Sequence, residues 1–166
     1  AIIEKEDRIP NDVVEEMKAM GLFGLSIPEE YGGLGLNMLD DVIVNIVFGH
    51  TTPPFSTIFG TNIGIGAQGI VIDGTEEQKK KYLPRMATGE CIGAYSLSEA
   101  SSGTDAAAMT AKADLENGDF ILNGEKMWVT NGASADIFVL FAKHVGDAEY
   151  GKKKHGGITA FIVEKE

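Results

Sequence analysis

The sequence predicts an α+β fold, an N-terminal helical bundle followed by an antiparallel β-barrel-like domain, truncated. Two observations carry this. Up to about residue 89, apolar residues recur three and four positions apart, the signature of one buried helix face. Beyond Gly89, short runs rich in β-branched and aromatic residues take over, separated by Asn-Gly turns. The expected organisation is a helical domain over 1–89, incomplete at its start, and a β domain over 90–166, incomplete at its end.

Ala1–Lys5 reads as the tail of a helix already under way. Pro10 sets a helix start at Asn11, whose short side chain is the expected cap. Val13, Val14, Met17 and Met20 mark its buried face, and Gly21 ends it. Tyr31-Gly32-Gly33-Leu34-Gly35 suits a tight irregular connection; as a phosphate loop it lacks a leading strand and a following Lys-Ser/Thr. A second helix runs from Asn37 to Phe48, with Leu39, Val42, Ile43, Ile46 and Val47 as its apolar face and Gly49 as its stop.

Pro53 and Pro54 start a helix through Ile72 that is rich in small residues, among them Gly60, Gly64, Gly66 and Gly69. Glycine costs about 1 kcal/mol per helical position relative to alanine. Such a helix makes sense where something packs closely on it, either another helix or a ligand. Thr75 caps a fourth helix with Glu76 and Glu77 in its first turn.

Expected strands follow at Cys91–Leu97, Thr110–Leu115, Phe120–Leu122, Lys126–Thr130, Ile137–Ala142 and Ile158–Val163. Asn117-Gly118 and Asn123-Gly124 are the turns. The Gly- and Lys-rich stretch before Ile158 reads as an exposed loop.

Composition narrows the function classes. The 166 residues are 43% apolar and 23% charged, an ordinary globular balance. A net charge of −11 argues against a nucleic-acid footprint, which needs a basic face. The short clusters Lys79–Lys81 and Lys152–His155 read as solvated surface. The single cysteine, Cys91, excludes an internal disulfide and opens an apolar run, a poor place for a nucleophile. No run approaches about 18 uninterrupted apolar residues, so no membrane insertion is expected. His50, His144 and His155 are scattered, with no Gly-x-Ser-x-Gly elbow and no metal-ligand spacing.

Two segments carry the chemistry. Tyr95-Ser96-Leu97-Ser98-Glu99-Ala100-Ser101-Ser102-Gly103-Thr104-Asp105 is an apolar strand running into a loop of small hydroxylated residues. Such a loop offers backbone N–H groups and short hydroxyl donors to an anionic or carbonyl-rich ligand. Lys126-Met127-Trp128-Val129-Thr130-Asn131-Gly132 places the only tryptophan two residues before a hydroxyl, on one face of a strand end. Together they describe a site for a planar, hydrogen-bonding ring with a charged tail, which a flavin dinucleotide fits. The plainer readings are Trp128 as core and Ser98 as an ordinary strand hydroxyl. Glu99 and Asp105 read as structural partners of nearby backbone donors.

These segments resemble the acyl-CoA dehydrogenase signature and that family's Lys-x-Trp-[Ile/Val]-[Ser/Thr]-Asn-Gly strand end. The likeness extends to Ile27–Gly35 and to Gly74–Pro84, so it covers nearly the whole chain. Ala100 stands where the family usually has proline and Ser101 where it often has glycine. The resemblance implies a helical and a β domain, with the family's helical C-terminal domain absent. It implies FAD, with Tyr95, Leu97 and Ser98 along the flavin ring and Gly103 and Thr104 at the pyrophosphate. Trp128 would cover one ring face, Val129 would also contact the cofactor, and Thr130 would bond near N5. Thr104, and Thr61 on the small-residue helix, would meet the acyl-CoA substrate.

The implied reaction is α-proton abstraction and β-hydride transfer to FAD N5, giving a trans-2-enoyl-CoA. Electrons would pass to an electron-transferring flavoprotein. No residue here is assigned as the catalytic base, which in the family comes from the C-terminal domain or late helices. The resemblance also implies a homotetramer, cytoplasmic if prokaryotic and in the mitochondrial matrix if eukaryotic. Alternatives are an oxygen-using acyl-CoA oxidase and a non-catalytic scaffold that keeps the fold.

Overall fold

A computed structural model describes residues 2–6, 8–144 and 157–165 of the chain. Helices α1 (Ile2–Glu6) and α2 (Asn11–Ala19) open it. Asn11 is the first helical residue and not the cap: the Pro10 carbonyl accepts the Val14 N–H, and no side chain caps the end. Met17 is buried on α2, whereas Met20 falls on the C-cap and is exposed just before Gly21 turns the chain at φ +77°.

Helix α3 (Met38–Phe48) begins where the Asn37 side chain accepts the Leu39 and Asp40 N–H groups. Its expected inward face is corrected. Leu39, Val42, Ile43, Ile46 and Val47 are all exposed, and Val44 and Phe48 lean on the core instead. Four residues apart, those two share one face of the helix, and the Phe48 ring lies edge-on to Phe59 at 4.9 Å.

The long helix expected from Pro53 to Ile72 is interrupted. Helix α4 (Pro53–Thr61) widens at Asn62–Gly66, where Gly64 leaves helical geometry (φ −85°, ψ −108°), and α5 (Gln68–Asp73) resumes. By length and composition the run Pro53–Asp73 could cross a membrane. Its kink, and the burial of Phe59, Asn62, Ile63, Ala67 and Ile70, make it a core helix. Fully buried Asn62 donates to the Phe23 and Met86 carbonyls, both at 3.1 Å, and accepts the Gly93 N–H at 2.8 Å. Helix α6 (Glu76–Ala87) starts in a complete capping box between Thr75 and Gln78.

The β part holds β1 (Gly93–Ser96), β2 (Lys112–Glu116), β3 (Asp119–Asn123), β4 (Ile137–His144) and β5 (Ile158–Glu164). The α+β class holds, but the sheet is mixed and open, not an antiparallel barrel. β4 is its axis, parallel to β1 along Ile137–Leu140, parallel to β2 at Lys143–His144, and antiparallel to β5. A long excursion separates β1 from β4, and that crossover lets the two run in the same direction. The β2–β3 hairpin turns at Asn117 and Gly118, both at positive φ, as the Asn-Gly signal requires. The stretch expected as an exposed loop, including the Lys152–His155 cluster, lies at 145–156, outside the described residues.

Ala67 just before α5, Ile70 on α5, and Leu83 and Met86 on α6 pack against Ile137 and Val139 of β4. At the far end of this layer the Tyr82 hydroxyl donates to Glu164 on β5 at 2.8 Å. Lys81 pairs with the same carboxylate at 2.6 Å.

Candidate functional site

The site grows from the end of β1. After Ser96 the chain leaves the sheet, and Glu99 and Ser102 exchange both backbone hydrogen bonds, at 2.9 and 3.1 Å. The Ser102 hydroxyl donates to the Asp105 carbonyl at 2.8 Å and closes the loop. That loop is seated on the second segment: the Met127 N–H donates to the Ser98 carbonyl at 2.9 Å. The two segments singled out in the sequence therefore lie side by side.

A buried ion pair fixes them. Lys126 Nζ lies 2.8 Å from Glu99 Oε1 and donates at 3.0 Å to the Leu97 carbonyl; the side chains are 8% and 4% exposed. Glu99 Oε1 also accepts the Ala111 N–H at 3.0 Å, and Oε2 accepts the Thr110 N–H and hydroxyl at 2.6 and 2.7 Å. Burial on its own raises the Glu99 carboxyl, but Lys126, Thr110 and Ala111 outweigh it and hold the group down at about 2. Both oxygens are saturated, so Glu99 has the structural part that the sequence indicated and cannot serve as a base.

The segment 126–130 is not the expected strand. Trp128 sits in left-handed backbone (φ +59°), which breaks the alternation of faces, so Trp128 and Thr130 do not share a strand face. The indole is not core: it is 86% exposed. A bulky side chain in left-handed backbone is strained, and such strain collects at functional sites. Downstream, the Gly132 N–H closes a turn onto the Val129 carbonyl at 2.9 Å. Asn131, also at positive φ, donates to the Ile58 carbonyl on α4 at 3.0 Å.

The other expected residues divide by accessibility. The Tyr95 ring is turned into the sheet's helix-facing core against Phe141, centroids 5.0 Å apart, so its side chain is spent on packing. Leu97 and Ser98 are half-buried, while Gly103 and Thr104 are exposed. A Cβ at Gly103 would meet nothing within 4 Å, so packing gives no reason for a glycine there. Among the described residues the hydroxyls of Ser98, Thr104, Thr130 and Thr61 make no hydrogen bond, whereas those of Thr75, Ser102 and Thr110 do. Four short hydroxyls are thus open to a ligand.

A cleft of about 830 Å³ lies between the helical and β parts, with walls that include Val14, Lys18, Pro54, Ile58, Thr130 and Asn131. Of the expected site residues, Thr130 lines it; Tyr95, Leu97, Ser98, Gly103, Thr104, Trp128, Val129 and Thr61 do not. Sequence reading assigned no part to Lys126 or Asn131. The signals were present: a lysine two residues before the only tryptophan, and an Asn-Gly pair calling for left-handed backbone.

Two family models cover nearly the whole chain. The model described as acyl-CoA dehydrogenase, N-terminal domain, matches residues 1–90, and that described as acyl-CoA dehydrogenase, middle domain, matches 94–166. The chain belongs to the acyl-CoA dehydrogenase family. A probable acyl-CoA dehydrogenase of Bacillus subtilis is 46% identical over 89% of this chain and 23% of its own length. The mitochondrial isovaleryl-CoA dehydrogenase of Solanum tuberosum is 41% identical over 98% of this chain and 39% of its own. Among solved structures, the acyl-CoA dehydrogenase complexed with FAD from Bacillus anthracis superposes with a TM-score of 0.81 at 41% identity, over 93% of this chain and 25% of that one. The chain therefore spans well under half of these acyl-CoA dehydrogenase relatives.

Proposed function

We propose that this chain forms the FAD-facing and part of the substrate-facing surface of an acyl-CoA dehydrogenase, its helical portion at 1–89 and its β portion at 90–166. The observation that carries the reading is Trp128, an exposed indole held at positive φ beside a loop of uncommitted hydroxyls. Neutral donors suit a flavin, whose ring offers carbonyl and nitrogen acceptors. The Glu99–Lys126 pair supports this by cancelling its own charge beneath the loop. Open space at Gly103 suits the close approach of a pyrophosphate.

Bound FAD supplies the hydride acceptor that the polypeptide lacks. In this reading the Ser98 hydroxyl and the backbone beside Leu97 donate to the ring's pyrimidine end, where negative charge grows on reduction. Tyr95 contributes main chain only, since its ring is occupied with Phe141. Trp128 screens one ring face from water, Val129 also contacts the cofactor, and Thr130 steers the edge where hydride arrives. Gly103 and Thr104 take the pyrophosphate, and Thr104 and Thr61 orient the acyl-CoA thioester. The reaction is oxidation to a trans-2-enoyl-CoA by α-proton and β-hydride loss, with electrons leaving to an electron-transferring flavoprotein. The α-proton needs a base other than Glu99. A homotetramer in a prokaryotic cytoplasm or a mitochondrial matrix completes the reading.

The test is anaerobic titration of the FAD-loaded protein bearing this chain with acyl-CoA thioesters of several chain lengths. Bleaching of the flavin band at stoichiometric thioester is expected. Absence of bleaching with every chain length overturns the reading, and steady hydrogen peroxide release in air would reassign the protein as an oxidase.

A further inference from the structure

The most heavily bonded buried group near the site has no part in the chemistry proposed above. Glu99 joins three pieces of chain: its own loop, the start of β2 through Thr110 and Ala111, and the tryptophan segment through Lys126. Lys126 in turn reaches back to the Leu97 carbonyl. Between Lys126 and the strained Trp128 lies one residue, Met127, whose N–H is bonded to Ser98. We propose that the Glu99–Lys126 pair is a positioning device for the flavin ring, holding Trp128 in its left-handed backbone and Ser98 beside it at one fixed spacing. This rests on the flavin reading of the site, since it names what holds that site in shape.

Three features favour positioning over mere stability. A buried ion pair adds little net stability compared with a well-packed neutral pair, because both charges lose their hydration. Its gain is directional: a carboxylate with four donors tolerates little rotation. The strain at Trp128 must also be opposed by something, and an exposed indole has no packing to do so. Lys126 and the Met127–Ser98 hydrogen bond are the anchors immediately upstream. Asn131, bonded to Ile58, is the anchor downstream.

Trp128 is the only tryptophan of the 166 residues, so its indole N–H gives a single resonance in a ¹⁵N-correlation spectrum of this 166-residue polypeptide. That resonance is followed in wild type, Glu99→Gln, Lys126→Met, the double Glu99→Gln/Lys126→Met and Lys126→Arg, first free and then titrated with FAD. The double variant strands no charge and is expected to keep the fold even where the single variants do not. Its indole resonance is expected to move toward the random-coil position and to sharpen, with FAD affinity reduced at least tenfold. Lys126→Arg is expected to restore most of both. An unmoved free-state resonance in the double variant, with FAD affinity within twofold of wild type, overturns the proposal. If FAD leaves the wild-type resonance unmoved, the flavin reading fails. The free-state spectra then still decide whether the pair holds the tryptophan segment.

Discussion

Asn62 Oδ1 accepts the Gly93 N–H at 2.8 Å, so the side chain at the helical kink satisfies the first peptide of β1. The same amide feeds the Phe23 and Met86 carbonyls, and one residue thereby ties the kinked helix to three other segments. Replacing it with leucine leaves a buried N–H and two buried carbonyls without that partner. We expect Asn62→Leu to cost about 2–4 kcal/mol, measured by urea denaturation. Gly66→Ala tests the adjoining contact, since a Cβ there would lie 3.1 Å from the Gly93 carbonyl carbon. It should also destabilise, while Gly60→Ala, facing open space, should not.

Glu99 makes stability depend on pH. Its folded carboxyl lies at about 2, against an ordinary 4.5. A depressed carboxyl contributes stability that is fully present above the ordinary value and is lost as pH falls toward 2. Urea midpoints between pH 5 and pH 2 should fall more steeply in wild type than in Glu99→Gln.

Trp128 should show function and stability pulling apart. Asparagine tolerates left-handed backbone better than tryptophan, and the exposed indole contributes little packing. Trp128→Asn is expected to leave stability unchanged or raise it by up to about 1 kcal/mol. In the same variant FAD binding should weaken at least tenfold by calorimetry.

Cys91 should be chemically silent in the native state. Burial, with Asp136 nearby, pushes its thiol up to about 11. Reaction with a disulfide reagent at pH 8 should be slow in the folded chain and rapid in denaturant.

The exposed stripe of α3 makes the opposite claim about packing. Ile46→Asp should shift stability by no more than about 0.5 kcal/mol. Phe48→Ala, which removes the edge contact with Phe59, should cost about 2–4 kcal/mol.

Local grammar was the legible part of the sequence. The Thr75 cap, the Asn117-Gly118 turn and the stop at Gly21 each depend on a few neighbouring residues, and each formed where expected. What depends on distant partners was not legible. The apolar stripe of α3 looks like a core face from periodicity, but only its Val44–Phe48 row meets a neighbour among the described residues. The parallel pairing of β1 with β4 joins segments with a whole hairpin between them, and no local pattern encodes it. Residue types and order picked out the two segments that the structure sets side by side. The left-handed backbone at Trp128 was hidden, because tryptophan carries no propensity for it. So was the Glu99–Lys126 contact, which spans 27 positions.

The bond from Tyr82 to Glu164 joins residues 82 positions apart. Until β5 has been made, the Tyr82 hydroxyl has no Glu164 carboxylate to donate to. β4 likewise stays open on one edge until then. In that interval β4 offers an open edge as a template for another strand, which favours pairing between nascent chains.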